Sequence, residues 1–192
     1  PAQLASAIGS DTVLVSVMHA NNEIGTLHDI AAIGRLCRER DVLFHTDATQ
    51  SLGRLPLDVT AMQVDLLSAS AHKIYGPKGA GSLFVGARAR RHGLVPLLRG
   101  GGQEGGLRAG TLNVPGIVGF GAALRLASTR RTDAHAHLDA LLHHLHKRLG
   151  AELPEWAVNG PWPERLPGNL NLRVDGVRAD LLLSSLRGIA LS

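Results

Sequence analysis

Three short apolar runs decide most of what this chain can fold into. Thr12 to Met18, Val42 to His45 and Val64 to Ser70 are too short for core helices and rich in aliphatic, often β-branched residues, the pattern of buried strands. Between the first two, Ile30, Ile33, Leu36 and Cys37 recur at helical spacing, with Arg35, Arg38 and Glu39 facing outward. Asp29 stands where an N-cap is needed. Strand, helix and strand at this spacing make a parallel βαβ unit, because parallel neighbours need a long crossover. The expected class is therefore α/β with a mostly parallel sheet.

Downstream, Gly76-Pro77-Lys78-Gly79 reads as a turn, 81–85 as a fourth strand and 100–110 as a glycine-rich loop. Helical material is expected over 114–149, its later stripe formed by Leu138, Leu141, Leu142, Leu145 and Leu149. Pro154, Pro161, Pro163 and Pro167 predict irregular chain, followed by a strand over 169–174 and a helix over 179–186. The final apolar run, Ile189 to Ser192, reads as a strand just entered. With no initiator Met and that ending, the chain is expected to be a piece of a longer protein. The division anticipated is a partial large domain over 1–125, then a connecting helix and the start of a small α+β domain over 126–192.

Composition narrows function by exclusion. In 192 residues, 44% are apolar, enough for a core, and no run approaches the length of a membrane span. The first residues lack the basic and apolar regions of a secretory signal. A lone cysteine, Cys37, rules out an internal disulfide framework and fits a reducing cytoplasm. A net charge of +4, with scattered arginines and 3% aromatics, gives no electrostatic stripe or stacking platform for nucleic acid. No membrane partner is expected.

The chemistry-bearing residues fall where strands end. Asn22, Asp47 and Lys73 each follow a different predicted parallel strand, and in open α/β sheets the ligand crevice lies outside those carboxyl ends. A lysine there, partly desolvated, suits Schiff-base chemistry. Pyridoxal 5'-phosphate (PLP) needs such a lysine and a carboxylate against its pyridine nitrogen. Gln50 could reach the same cofactor, and Ser70 and His72 could bind a phosphate. Taken singly, an Asp after a strand is ordinarily a cap and a lone Lys ordinarily solvated; the joint pattern carries the argument. Gly100 to Gly105 matches a dinucleotide-binding spacing, but no helix is expected to open after it. His135, His137, His143, His144 and His146 are expected on the solvated side of the long helix, away from the leucine stripe, and no metal site is expected.

Met18 to Gly25 (MHANNEIG), His45 to Gln50 (HTDATQ), Ser70 to Gly79 (SAHKIYGPKG) and Arg108 to Thr111 (RAGT) together resemble the cysteine desulfurase family, class V enzymes of PLP fold type I. That resemblance implies roles. Lys73 would hold the cofactor and move the substrate proton, making it the catalytic residue. Asp47 would face the pyridine nitrogen. Asn22 and Gln50 would contact the ring, Gln50 at its phenolic oxygen. Ser70, Ala71 and His72 would hold the phosphate, and Thr111 would reach the phosphate of a neighbouring subunit in a homodimer. The implied activity takes L-cysteine to L-alanine and passes persulfide sulfur to iron–sulfur scaffold or thiolation proteins. Other readings are a selenocysteine lyase, a class V aminotransferase, or a non-catalytic PLP-binding or interaction module. The family is about twice this length. By that comparison an N-terminal phosphate loop, a ring-stacking histidine and the catalytic-cysteine loop lie outside the chain, which alone is expected to be inactive. Cys37, on a helix's apolar stripe, is expected to be a core residue rather than the nucleophile.

Overall fold

The structure is a computed structural model, describing residues 2–153 and 155–191. Helix α1 (Ala2–Ala7) leads into strand β1 (Leu14–Met18), helix α2 (Ile30–Glu39), β2 (Leu43–Asp47) and β3 (Leu66–Ser70). A single 3₁₀ turn (Ala71–Ile74) follows, then β4 (Gly81–Val85), α3 (Ala87–Arg91) and the long helix α4 (Val114–Glu152). The chain continues through β5 (Trp156–Val158), β6 (Leu172–Val174) and α5 (Ala179–Ser185).

The main sheet has the order β1-β2-β3-β4, with β1, β2 and β3 parallel and β4 antiparallel at the edge. The expected βαβ unit is present, and Asp29 caps α2 by accepting the Ala32 N–H at 2.9 Å. Helix α2 turns Ile30, Ile33 and Cys37 into the core, where they meet Val15, Phe44 and Leu67. Its approach is close. A Cβ on Gly34 would overlap the Met62 carbonyl, so only glycine fits there. Phe120 and Ala123, from the first turns of α4, complete this layer beside Ala71 and Ile74. No helix among the described residues is long and apolar enough to cross a membrane.

Beyond the sheet the structure departs from expectation in four respects. Helix α4 is continuous for 39 residues, about 58 Å at 1.5 Å per residue, capped by Asn113 with Pro115 in its first turn. Its later leucines do not form a buried stripe, since Leu141 and Leu145 are exposed and Leu142 is buried. Of the histidines expected on the solvated side, His143 is exposed, with its ring 5.3 Å from Trp162, whereas His146 is half-buried, stacked on Trp162 with centroids 4.1 Å apart and edge-on to Trp156. The proline-rich stretch that brings those tryptophans hides β5, which pairs antiparallel with β6. Ile189 to Leu191 form no strand; their side chains are exposed, and the Ile189 N–H turns back to the Leu186 carbonyl at 3.4 Å, while Ser192 lies outside the described residues.

Candidate active site

The register puts the predicted residues at one edge of the sheet. Met18 pairs with Asp47 and Asp47 with Ser68, so β1 and β2 end together and β3 runs two residues further, to Ser70. Asp47 therefore closes the central strand, with the Asn22 loop on one side and the Lys73 turn on the other.

Each flank is shaped locally. After β1 the His19 N–H donates to the Asp47 carbonyl at 2.9 Å, prolonging the ladder. Asn21 then folds the loop, its carboxamide oxygen accepting the N–H groups of Glu23 and Ile24, both at 2.9 Å. This leaves Asn22 exposed, its amide donating to the Glu23 carboxylate at 2.7 Å. Asp47 is half-buried and accepts the Thr49 N–H at 2.8 Å, which starts the turn carrying half-buried Gln50. The next residue, Ser51, is fully buried, and its Oγ lies 3.0 Å from His19 Nδ1, tying the two loops together. Burial holds the His19 imidazolium below its usual pKa range, reinforced by the neighbouring charge of His28.

After β3, the 3₁₀ turn buries Ala71 and Ile74 and leaves His72 and Lys73 exposed. The partly desolvated lysine expected from the sequence is thus not found: a one-turn helix has only two inward positions, and alanine and isoleucine occupy them. Tyr75 closes the turn in the left-handed region (φ 64°). Thr111 stands apart, exposed in the segment before α4. Cys37 is wholly buried; burial, with the charge of Asp65, pushes its thiol up, against the opposing pull of Arg88. It is a core residue, as expected. Among the described residues no cluster of three or more His, Cys, Asp or Glu is placed to hold a metal.

One feature of the site was not read from the sequence. The Asn22 loop is clamped from the segment between β5 and β6. Arg165, 6% exposed, donates to the Ile24 carbonyl at 2.8 Å and to Asn169 Oδ1 at 2.8 Å. The Asn169 amide donates to the carbonyls of Asn22 and Glu23, at 3.0 and 3.1 Å, and Asn171 adds a bond to Glu23 at 3.2 Å. Gly25 (φ 71°) is the contact point, since a Cβ there would stand 2.6 Å from Asn169 Oδ1. The available signal was an arginine and two asparagines, Arg165, Asn169 and Asn171, inside a stretch otherwise proline- and leucine-rich.

The family description for class-V aminotransferases matches residues 1–192. The chain belongs to the aminotransferase class-V family. Within that family it is 51% identical over 192 residues to the cysteine desulfurase IscS of Anaeromyxobacter dehalogenans, covering 100% of this chain and 47% of that protein. The IscS of Histophilus somni is 50% identical over 190 residues, with 99% and 46% covered. This class-V chain thus spans about half the length of the curated relatives it matches. Among solved structures, a NifS-like protein from Rickettsia africae superimposes with a TM-score of 0.86 at 32% identity, over 95% of this chain and 49% of the other. DndA from Streptomyces lividans gives 0.79 at 34% identity, with 95% and 51% covered. A protein titled SspA in complex with cysteine gives 0.66 at 42% identity, over 82% and 43%. The fold is that of the NifS-like proteins, PLP fold type I.

Proposed function

We propose that this chain carries most of the PLP-binding part of a cysteine desulfurase, a sulfur transferase acting on L-cysteine, cytoplasmic and homodimeric. The observation that supports the reading is the shared edge of three parallel strands: Asp47 ends one of them, and Asn22 and Lys73 lie in the segments that leave the other two, within stretches that resemble the family's motifs. The donor set suits the cofactor. An amine, a carboxylate, two carboxamides, a hydroxyl and an imidazole match an aldehyde, a pyridine nitrogen, a phenolic oxygen and a phosphate.

Bound PLP would supply the electron sink for the pair released at the substrate α-carbon. The residues do the rest. The Lys73 amine, exposed and without a hydrogen bond or ion pair to any described residue, would bind the cofactor aldehyde and then carry a proton to and from the α-carbon. The Asp47 carboxylate, with a single N–H donor from Thr49, would keep the proton on the pyridine nitrogen. Gln50 would donate to the phenolic oxygen, and Asn22 would contact the ring from the clamped loop. Ser70, Ala71 and His72 would hold the phosphate, with Thr111 reaching the partner subunit's site. We assign 1–125 to the large domain and 126–192 to the connecting helix and small domain; α4 passes through that boundary unbroken.

Sulfur abstraction needs an accessible thiolate, and Cys37 is fully buried. The acceptor cysteine belongs to the remainder of the longer protein in this reading, from which sulfur would pass to iron–sulfur scaffold or thiolation proteins. Incubating the full-length protein with PLP, L-cysteine and a dithiol reductant tests it: alanine should appear, matched by the sulfide that the dithiol releases from the persulfide as it is oxidised to its disulfide. A 2-oxo acid in place of alanine would establish an aminotransferase, turnover of selenocysteine alone a lyase, and PLP binding without turnover a non-catalytic module. The 192-residue chain alone should release no sulfide above the free-PLP background, and Cys37→Ser should change nothing.

A further inference from the structure

Strand β2 turns Phe44 and Thr46 into the core and presents Leu43, His45 and Asp47 on its other, half-buried face. Neighbouring strands add two serines to that face. Ser16 of β1 pairs directly with His45, and Ser68 of β3 pairs directly with Asp47. The His45 imidazole joins them, Nδ1 lying 2.7 Å from Ser16 Oγ and Nε2 3.1 Å from Ser68 Oγ. Both ring nitrogens are therefore engaged, three strands are linked side by side, and the second link ends abreast of Asp47.

The charge state this arrangement favours is neutral. A neutral imidazole offers one N–H and one lone pair, and each hydroxyl can answer either, so the Ser16–His45–Ser68 chain is complete without a cation. Burial, the largest influence on the ring, disfavours the imidazolium, against the pull of the Asp47 carboxylate. A cation two residues along the same face would pair with that carboxylate and compete for its charge. A neutral ring anchored at both ends does not.

We propose that His45 is a positioning residue for Asp47: held by Ser16 and Ser68, it fixes the end of β2 and keeps an uncharged ring beside the carboxylate, leaving Asp47's charge to the pyridine nitrogen of bound PLP. This rests on the reading of Asp47 given above. The test titrates PLP into the full-length protein, following the visible absorption band, with thermal unfolding of the PLP-free protein in parallel. His45→Phe should raise the Kd for PLP about 10-fold, the equivalent of one lost hydrogen bond of about 1.4 kcal/mol. His45→Lys should raise it further and shift the band, and His45→Gln should restore affinity to within about 3-fold of the starting protein. Should His45→Phe not fold, Ser16→Ala and Ser68→Ala each remove one anchor and should each raise the Kd. Wild-type affinity and an unshifted band in these variants, with only the unfolding temperature lowered, would make His45 a cross-strand pin and overturn the proposal. Asp47→Asn separates the two levels: unchanged PLP binding in that variant would overturn the assignment of Asp47 itself, and the role of His45 with it.

Discussion

The two ends of the same sheet treat their charges in opposite ways. At the end where β2 and β3 begin, Asp65 is 2% exposed and is met by several donors. Its Oδ2 accepts from Arg88 at 2.8 Å and from the Phe44 N–H at 2.9 Å, and Arg38 stands 3.7 Å from Oδ1. Arg88 also donates to the Val42 carbonyl at 3.0 Å and to Asp41 at 2.7 Å. Burial opposes the Arg88 charge, but the hydrogen bonds and charges of Asp41 and Asp65 outweigh it and raise the pKa of the guanidinium. At the end where the strands finish, Asp47 has one N–H donor, and Lys73 and His72 are exposed. Charges saturated by the protein hold the fold; charges left with spare valence can hold something else.

Breaking the saturated end should cost most. Arg88→Met leaves Asp65 buried without its main counter-charge and should lower unfolding free energy by about 3–5 kcal/mol in a urea titration. In the same assay Lys73→Ala and Asp47→Asn should stay within about 0.5 kcal/mol, as exposed or half-exposed positions do. Equal losses at both ends would erase the contrast. A smaller effect is expected where the second region grips the open end: Asn169→Ala removes the bonds to Asn22 and Glu23 and should cost about 1–2 kcal/mol. Its mark should be faster amide exchange in the 21–26 loop, with exchange around Arg88 unaltered.

Smallest is the pH dependence that His19 and His45 impose. Burial lowers both pKa values below the unfolded 6.5, so in acid the unfolded chain takes up protons that the folded chain refuses. Stability should therefore fall as pH drops through 6.5 and onward to the folded-state values. Thermal unfolding between neutral and mildly acid pH checks the sign, and His19→Asn should flatten part of the slope.

What the sequence made legible follows from range. The βαβ unit could be read because its signals are local: an alternation of short apolar runs with one amphipathic helix and an Asp29 cap. The strand-end residues could be read because the rule that ligands gather at carboxyl ends turns three local motifs into one place. The clamp could not, because Arg165 reaches Ile24 across 141 residues and no periodicity encodes that contact. The stacking of His146 on Trp162 was missed for the same reason: helix periodicity gives the face a residue occupies, not what an irregular segment lays over it. The exposure of Lys73 was misjudged because strand-end position says nothing of how many residues enclose the turn that follows.

In the proposed function the open edge is a PLP site whose covalent anchor is Lys73. Incubation of the protein with PLP, reduction with borohydride and peptide mapping test it directly. The pyridoxyl label should fall on Lys73 and vanish in Lys73→Ala. A label on Lys78 or Lys147, or one that survives Lys73→Ala, would contradict the assignment.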